Sequence, residues 1–288
     1  AYGNGPLPSY SGWLRNDGST NTLLPGIEFP LANLTCSLAD YDNDGRLDVA
    51  ATGGTSGYDN VFQLFHNNGG FSFTTNTPNI EGTQYAVMAW GDADGDGDLD
   101  LLLSGIPNPP YPGNPFIRLY RNDTPVTNAQ PQTPTNLIAT VSGSSVQLSW
   151  AAVTDANQSG GLSYNVRVGR AGQGVDVITP AANLVTGKLL LPQVGNAGHG
   201  LFRVLTNLLA GTYYWSVQAV DNAFAASAFA VEGSFEIAPG LPRVGEPAAS
   251  DLRFPHATLT ASAIPNGAPA SVWFEYGLST NYDQATPA

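Results

Sequence analysis

Two short acidic segments carry the residues of this chain that are best suited to chemistry. Both have the spacing D-x-D-x-D-G-x-x-D, and the second copy follows the first without gaps at an offset of 52 residues. We call them loop 1 (residues 40–48) and loop 2 (residues 92–100). The candidate ligands in loop 1 are Asp40, Asp42, Asp44, Arg46 and Asp48, and those in loop 2 are Asp92, Asp94, Asp96, Asp98 and Asp100.

This spacing suits Ca²⁺, which takes about six to eight oxygen ligands at about 2.3–2.6 Å. Carboxylates at positions 1, 3, 5 and 9 and a backbone carbonyl at position 7 wrap one ion, and the glycine at position 6 permits the sharp turn. At position 7, Arg46 and Asp98 are expected to offer their carbonyls while their side chains point outward. We therefore predict two Ca²⁺ sites. Mg²⁺ suits them less, because it retains several waters.

The plainer alternative is that both segments are ordinary acidic turns, since Asp and Gly are frequent in turns of every kind. Two gap-free copies with the same four aspartates and one glycine argue against coincidence. In an EF-hand, a helix would follow the calcium loop. Here the loops are followed by "DVAATGG" and "DLLLSGI", which are β-branched or apolar runs with Gly near their ends. The loops are therefore predicted to lie between strands.

The two loops belong to an internal repeat of roughly fifty residues. Each loop is followed by a second matching strand, at residues 61–68 and 116–123, and residues 13–18 hold a third copy of the ending of that strand. A strand, an acidic loop, a strand, a variable turn and another strand are typical of one four-stranded propeller blade. The sequence thus contains two whole units, and it is expected to start within a strand of a preceding unit.

Composition sets the broad class. With 42% hydrophobic and 11% charged residues, the chain is globular, and Gly and Pro clusters separate short runs of Val, Thr, Tyr, Phe and Trp. This pattern predicts an all-β protein. The formal net charge of −13 argues against a nucleic-acid partner. No run of 18 apolar residues is present, so no membrane span is expected.

The two units resemble FG-GAP repeats, the integrin α-chain type of propeller blade, in the bacterial form often called VCBS repeats. The resemblance covers roughly Tyr10 to Asp123. It implies calcium bound by the eight aspartates at positions 1, 3, 5 and 9 of the two loops. It also implies adhesion, ligand binding or scaffolding in a secreted or bacterial surface protein, without catalysis.

The number of blades departs from this family. Propellers close with about four to eight blades, whereas this chain has two units and a fragment. Three explanations stay open: a longer parent protein was cut, other chains supply the missing strands, or the blades pack as an open sandwich. The sequence does not choose among them.

A second module follows residues 122–136, which contain three prolines and no apolar periodicity and are interpreted as a linker or an extended lead into the next domain. Strand-like runs come next, at residues 137–141, 146–150, 162–169, 201–205, 212–220 and 233–237. In the fifth run, alternation predicts a half-buried strand with Tyr213, Trp215, Val217 and Ala219 on the buried face and Tyr214, Ser216 and Gln218 on the polar one.

This module resembles a fibronectin type III domain over residues 131–238. Trp150 on the second strand and Tyr213 at the tyrosine-corner position carry the resemblance. A long insertion between Gly169 and Gly200 departs from the minimal domain and is a candidate contact surface.

A third module begins after another proline-rich joint. "ATLTASA" and "SVWFEYG" look like the first strands of an immunoglobulin-like module, with about three of the seven strands that such a sandwich needs. The predicted domains are residues 1–125, 131–238 and 251–288. The fold class is therefore all-β, with two FG-GAP/VCBS-type blade repeats, a fibronectin III-like β-sandwich and an incomplete C-terminal Ig-like sandwich.

A free strand at one end and an unfinished sheet at the other favour a fibre. Donated strands complete sheets through main-chain hydrogen bonds, and a head-to-tail contact builds an open filament. We hypothesise that residues 1–13 complete the unfinished β-domain of a second copy. The alternatives are a fragment of a longer surface protein and an adhesive module that binds glycans or surface proteins. Its candidate aromatic platform comprises Trp13, Trp90, Trp273 and the tyrosine-rich segment of residues 108–116.

Catalysis is not expected. His66, His199 and His256 stand far apart without the spacing of a metalloprotease, and the loop carboxylates are assigned to ions. His66 corresponds to Arg121 in the repeat, which suggests an exposed strand end. The single cysteine, Cys36, excludes an intrachain disulfide and is expected to be a small core residue.

Overall fold

A computed structural model describes residues 12–16, 20–28, 32–55, 59–107, 114–253, 255–267, 269–277, 279 and 281–287. Every regular element in these ranges is a β-strand, which confirms the predicted all-β class. The described residues contain no helix that is long and apolar enough to cross a membrane.

The described part of the repeat region has nine strands: β1 Gly12–Asn16, β2 Asn21–Glu28, β3 Ala32–Ala39, β4 Asp48–Gly54, β5 Asn60–Gly69, β6 Ser72–Asn76, β7 Gln84–Gly91, β8 Asp100–Ile106 and β9 Phe116–Tyr120. β3, β4, β5 and β6 form an antiparallel four-stranded sheet in chain order, which we call blade 1. β7, β8 and β9 form a three-stranded sheet, blade 2, and β1 pairs with β2. The four-stranded unit expected from the repeat is thus present in blade 1, while the described part of blade 2 has three strands.

The two blades pack face to face. The backbone N–H of Thr83 donates to the Thr52 hydroxyl at 2.8 Å, and the Thr35 hydroxyl donates to the Ala86 carbonyl at 3.2 Å, so hydrogen bonds join the sheets as well as apolar contacts. Their shared core consists of Ala50, Phe62, Leu64, Leu101 and Leu103. Because loop 1 ends where β4 begins and loop 2 ends where β8 begins, this packing holds the two loops in one rigid frame.

Blade 1 buries one of its faces against blade 2. The face of blade 2 that is equivalent to it in the repeat is exposed. The corresponding residues in the repeat are Ala50 and Leu102, Phe62 and Ile117, and Leu64 and Leu119. Ile117 is 69% exposed and Leu119 is 56% exposed, and Val87 on the neighbouring β7 adds to them. Blade 2 therefore presents to solvent an apolar sheet face whose equivalent is buried on blade 1. We call this the open blade face.

Six further strands form two sheets around one core: β10 Ile138–Ser142, β11 Ser145–Ser149, β12 Ser163–Gly169, β13 Phe202–Leu205, β14 Gly211–Val220 and β15 Gly233–Ile237. Each lies within one residue of its predicted run. The sheet orders are β10-β11-β13 and β12-β14-β15. Side chains of both sheets meet in the core, and the four residues of β14 predicted to face inward do so.

Two features expected from the fibronectin III resemblance are present in this sandwich. Trp150 lies in the core, with its ring centroid 6.4 Å from that of Trp215 and 5.4 Å from that of Tyr164. The Tyr213 hydroxyl donates to the Leu209 carbonyl at 2.8 Å, as in a tyrosine corner. The assignment to that family stays a prediction.

The outer face of β14 is buried too, which corrects the expectation of a half-buried strand. Ser216 Oγ donates to the Ala230 carbonyl at 2.6 Å, and Gln218 Nε2 donates to the Gly187 carbonyl at 3.1 Å. This outer face is covered by the insertion after Gly169 and by the segment that follows β14. Part of the predicted contact surface is therefore used within this module.

The proline-rich joint is fastened to both modules. Asn122 Nδ2 donates to the Tyr41 carbonyl at 2.6 Å on the blade side, and Asn128 Nδ2 donates to Asp221 Oδ2 at 2.9 Å on the sandwich side. Residues 122–136 form no strand, but these bonds make them an extended connector with fixed ends.

The C-terminal region consists of short ladders: β16 Arg243–Val244, β17 Ala248–Arg253, β18 His256–Thr260, β19 Ala263–Ile264, β20 Glu275–Tyr276 and β21 Gln284–Ala285. They pair as β16 with β19, β17 with β18, and β20 with β21. Of the predicted strand "SVWFEYG", only Glu275–Tyr276 is strand. Leu252, Ile264 and Trp273 are exposed. The Ig-like assignment stays a prediction.

Cys36 does not lie in the core, so that expectation is wrong. It is an exposed free thiol on β3, opposite Ala51 in the ladder. Thr35 bonds to blade 2, and alternation along the strand turns Cys36 to the other face, which it shares with the exposed Leu38.

Candidate functional site

Loop 1 is organised by its first aspartate. Asp40 Oδ1 accepts the N–H of Asp44 at 3.0 Å, and Asp40 Oδ2 accepts the N–H of Gly45 at 2.9 Å. Asn43 and Gly45 have φ values of 61° and 84°, in the left-handed region that suits Asn and Gly. These two residues let the backbone curl around the carboxylate at position 1.

The carboxylates of loop 1 converge. One ligand oxygen from each of Asp40, Asp42 and Asp44 lies within 4.8 Å of the others. Asp48 Oδ1 accepts the N–H of Asn67 at 2.6 Å, which ties the end of the loop to β5. Asp42 Oδ1 and Asp48 Oδ2 are buried and have no hydrogen-bond partner.

Burial and mutual repulsion make this negative charge unfavourable. Burial raises the pKa of Asp48 to about 7 and the pKa of Asp40 to about 6, and in both cases neighbouring loop carboxylates add to the shift. Burial, followed by repulsion from Asp44, also raises the pKa of Asp42. Clustered carboxylate oxygens with buried, unpartnered atoms are the donor set that a hard divalent cation requires, so these residues fit Ca²⁺.

Loop 2 repeats the arrangement at a more exposed position. Oxygens of Asp92, Asp94 and Asp96 lie within 4.8 Å of one another. Asp100 Oδ1 accepts the N–H of Asn122 at 2.9 Å, the same bond that Asp48 makes with Asn67 in loop 1, and Asp100 Oδ2 accepts the N–H of Ala93 at 2.9 Å. Asp92, Asp94 and Asp96 therefore come together in loop 2 as Asp40, Asp42 and Asp44 do in loop 1, and Asp100 is anchored as Asp48 is. The eight aspartates as ligands of two ions stay a prediction.

The two side chains at position 7 differ. Arg46 is exposed and forms an ion pair with Asp44, while its Nε donates to the Asn67 carbonyl at 2.5 Å. Asp98 was expected to point outward, and this is wrong. It is only 8% exposed, and its Oδ1 accepts from Asn43 Nδ2 at 2.8 Å. Its side chain links the two loops, because Asn43 belongs to loop 1. That the backbone carbonyls of Arg46 and Asp98 serve as calcium ligands stays a prediction.

In each unit a basic side chain on the third strand or directly after it reaches the carboxylates. In loop 2, Arg121 Nε lies 3.0 Å from Asp94 Oδ2. In loop 1 the equivalent residue is His66, whose Nδ1 lies 2.8 Å from Asp42 Oδ2 and 3.5 Å from Asp48 Oδ1. His66 is therefore not the exposed strand end expected from the sequence, and it belongs to the site. Its alignment with Arg121 is the sequence signal that could have placed both basic side chains beside the loops.

Loop 1 is also held by the sandwich module, which the sequence did not indicate. Asn222 Nδ2 donates to the Gly45 carbonyl at 3.0 Å, and Asn157 Nδ2 donates to the Asn43 carbonyl at 3.2 Å. A Cβ on Gly45 would lie 2.4 Å from the Asn157 carbonyl oxygen and 2.5 Å from Gln158 Cα. The backbones of the two modules thus touch at Gly45.

A buried carboxylate lies at the same contact. Asp221 is 5% exposed, and besides Asn128 it accepts the N–H of Ala225 at 2.7 Å. Burial raises its pKa to about 7, and repulsion from Asp155 and Asp40 contributes. The junction therefore concentrates acidic groups from both modules.

Loop 2 has its own contact with the sandwich. Lys188, the single lysine of the chain, lies in the insertion with its Nζ 3.4 Å from Asp92 Oδ2. Between loop 2 and the insertion is a cleft of about 510 Å³, lined by Asp92, Leu99, Asn128, Lys188, Pro192 and Phe224, among others.

Comparison with known proteins bears on the repeat region. A search of curated proteins found no significant match to this chain. Residues 40–103 match the family described as an FG-GAP-like repeat. This segment runs from the first aspartate of loop 1 through loop 2 into β8 and includes both candidate metal loops. The repeat region of this chain is therefore FG-GAP-like over these residues, a repeat type that points to extracellular adhesion or binding modules.

Proposed function

We propose that this chain is a non-catalytic, calcium-stabilised structural segment of an extracellular adhesion-type protein, secreted or held on a bacterial cell surface. The observation that carries the proposal is the repeated anchoring of position 9, in which Asp48 accepts the N–H of Asn67 and Asp100 accepts the N–H of Asn122. Each loop is thereby built into its blade. The FG-GAP-like match over residues 40–103 supports the adhesion type.

Each loop would hold one Ca²⁺, with Asp40, Asp42, Asp44 and Asp48 as the carboxylate ligands in loop 1 and Asp92, Asp94, Asp96 and Asp100 in loop 2. A bound divalent cation supplies positive charge that offsets the repulsion within each group. Asp48 and Asp40, whose pKa values are raised by burial, would then stay ionised at neutral pH. Their bonds to the backbone fasten loop 1 to β5 and to its own turn.

Calcium should raise the melting temperature, and chelation should lower it. Extracellular calcium modules bind at about 10⁻⁴–10⁻³ M, so about 1 mM free Ca²⁺ stabilises the fold by about 0.4–1.4 kcal/mol per site. With two sites we expect a shift of roughly 2–10 °C, measured by calorimetry with and without chelator. The same concentration of Mg²⁺ should shift it less. An unchanged melting curve in chelator would contradict the assignment.

A specific observation favours assembly with a second copy. The open blade face is apolar and exposed at Val87, Ile117 and Leu119, and its equivalent on blade 1 is covered by a β-sheet. The described C-terminal ladders are also apolar and exposed, at Leu252 and Ile264. These two surfaces support the C-terminal region of a second copy as the occupant of the open blade face. Two different surfaces in contact give a heterologous, head-to-tail filament.

Single charged substitutions test this contact against strand donation. Ile117→Lys and Leu252→Lys should each abolish filaments seen by negative-stain microscopy, while Val185→Lys, at an exposed valine of the insertion, should not. A mixture of the first two variants should stop at heterodimers, because each retains one intact surface. Strand donation by residues 1–13, of which 1–11 lie outside the described residues, instead predicts that deleting them is what abolishes filaments.

The rival is an adhesive module of a larger protein. The cleft between loop 2 and the insertion favours it, because ligand sites occur preferentially between domains. The aromatic platform is less suited, since Trp90 is half-buried and packs against the core between the blades. The side chain of Trp13 and residues 108–113 lie outside the described residues. A protein that stays monomeric and binds on a glycan array would favour this rival and exclude the filament.

A further inference from the structure

One group of candidate ligands at loop 1 includes an imidazole nitrogen, a ligand type outside the oxygen set that Ca²⁺ takes. Ligand atoms of Asp42, Asp48 and His66 all lie within 4.8 Å of one another. His66 Nδ1 is 2.8 Å from Asp42 Oδ2 and 3.5 Å from Asp48 Oδ1, and its Nε2 is 3.8 Å from Asp44 Oδ2. The imidazole thus faces the carboxylates and does not extend into solvent.

Each member of this cluster has a buried atom without a hydrogen-bond partner. These atoms are Asp42 Oδ1, Asp48 Oδ2 and His66 Nδ1. Asp48 is only 1% exposed, so no bulk water reaches its free oxygen. His66 Nδ1 is near Asp42 Oδ2, but the two atoms are not aligned as a hydrogen bond. Leaving buried polar atoms unpaired costs stability, and a cation in this cluster could bind the imidazole nitrogen and one carboxylate oxygen from each aspartate.

The separations and the chemistry agree on a class of ion. Neighbouring ligands on a metal with bonds of about 2.0–2.2 Å are roughly 2.8–3.6 Å apart in tetrahedral or octahedral geometry, and the two His66 distances lie within that range. Ca²⁺ and Mg²⁺ take oxygen ligands, whereas an imidazole nitrogen with carboxylates suits Zn²⁺, Co²⁺, Ni²⁺ or Mn²⁺.

We propose that loop 1 is also a binding site for a first-row transition-metal dication, with His66, Asp42 and Asp48 as its protein ligands. This proposal rests on the proposed cation site in loop 1 and adds its selectivity. The two classes of ion compete for loop 1, because both use Asp42 and Asp48. Loop 2 takes calcium alone.

Loop 2 provides an internal control for this selectivity. Its carboxylates have the same spacing, but the residue equivalent to His66 is Arg121, whose Nε lies 3.0 Å from Asp94 Oδ2. A guanidinium stays charged and has no lone pair to donate to a metal. If His66 served only as a positive counter-ion, as Arg121 does, exchanging the two residues would leave metal selectivity unchanged.

The test is a titration of the full chain with Co²⁺, followed by its visible absorption bands and by calorimetry. We expect one Co²⁺ per chain in the wild type, and at least about tenfold weaker binding in His66→Arg. Arg121→His should create a second Co²⁺ site in loop 2, while His199→Ala, at a histidine of the sandwich module, should change nothing. A hyperfine-shifted imidazole resonance that is lost only in the His66 variant would identify the ligand directly.

Ca²⁺ titrations of the same samples separate this proposal from the proposed function. Two Ca²⁺ per chain in the wild type and in His66→Arg, with Co²⁺ affinity unaffected by His66, would overturn the transition-metal site and leave the calcium proposal standing. Binding of neither ion would overturn both. Circular dichroism of each variant shows whether it is folded, and the gain of a site in Arg121→His does not depend on the stability of the loop 1 variant.

Discussion

Replacing Gly45 with alanine should lower the free energy of unfolding much more than the same change at Gly97. Both glycines occupy position 6 of their loops, and their φ values are 84° and 97°. Each substitution therefore incurs the same left-handed backbone penalty of about 1–2 kcal/mol. Only at Gly45 does the new Cβ meet another module, at 2.4 Å from the Asn157 carbonyl oxygen, whereas at Gly97 it meets nothing within 4 Å.

The additional loss at Gly45 measures the contact between the modules. Backbone atoms cannot move aside as a flexible side chain can, so we expect roughly 1–3 kcal/mol of overpacking beyond the loss in Gly97→Ala. Urea denaturation at saturating Ca²⁺ gives both values. The connector at residues 122–136 should also become more sensitive to protease in Gly45→Ala alone. Equal losses in the two variants would mean that the blade and the sandwich do not meet at this glycine.

This pair of variants also bears on the role of calcium. Loop 1 binds the sandwich through the Gly45 and Asn43 carbonyls, while its carboxylates converge on the candidate ion site. An ion in loop 1 would thus order the same backbone that the sandwich holds. Loop 2 contacts the sandwich through the exposed pair of Lys188 and Asp92, a type of contact worth about 0–1 kcal/mol.

Local patterns predicted the strands and the acidic loops well. The alternation of Tyr213, Trp215, Val217 and Ala219 indicated a strand with one face in the core, and the chain folds that way. The repeat predicted equivalent positions in two units, and Asp48 and Asp100 make equivalent bonds, to the N–H groups of Asn67 and Asn122. These features depend on residues close in sequence or on an exact repeat, so periodicity and spacing suffice to find them.

Contacts between segments far apart in the chain could not be predicted from the sequence. Ser216 and Gln218 are polar by pattern, yet the insertion covers them and supplies their hydrogen-bond partners. Asp98 is buried because Asn43, which lies 55 residues earlier, donates to it. Asn157 and Asn222 hold loop 1 from another module, and no local pattern marks an asparagine for that role. Such pairings are fixed by how the modules dock, which spacing along the chain does not encode.

Replacing Asp221 with asparagine should stabilise the protein at pH 8 and leave it nearly unchanged near pH 4. Burial raises the pKa of Asp221 to about 7 in the folded chain, from an ordinary value of 3.8. Between these values the folded protein keeps a proton that the unfolded chain has lost, so stability falls as pH rises, by at most about 1.4 kcal/mol per pH unit. Above pH 7 the penalty is complete.

An asparagine at 221 removes the ionisation and retains the bonds. Its Oδ1 still accepts the N–H of Ala225, and the amide of Asn128 can turn to present oxygen. We expect Asp221→Asn to gain roughly 2–4 kcal/mol at pH 8, measured by urea denaturation from pH 4 to pH 8. Saturating Ca²⁺ is included because cations bound at the proposed sites would favour the ionised form of the loop carboxylates, whose pKa values are also raised. Asp251→Asn, which removes an equal charge from an exposed position, should show no such gain.

The pH profile of the Asp221 variant therefore reports whether the junction of blade and sandwich holds an unpaired acid. A wild-type protein that loses stability from pH 4 to pH 7, beside a variant that does not, would identify Asp221 as the group responsible. An asparagine variant that is less stable than the wild type at pH 8 would mean instead that the carboxylate is ionised and bonded. In that case Asn128 and the N–H of Ala225 would outweigh burial and the repulsion from Asp155 and Asp40.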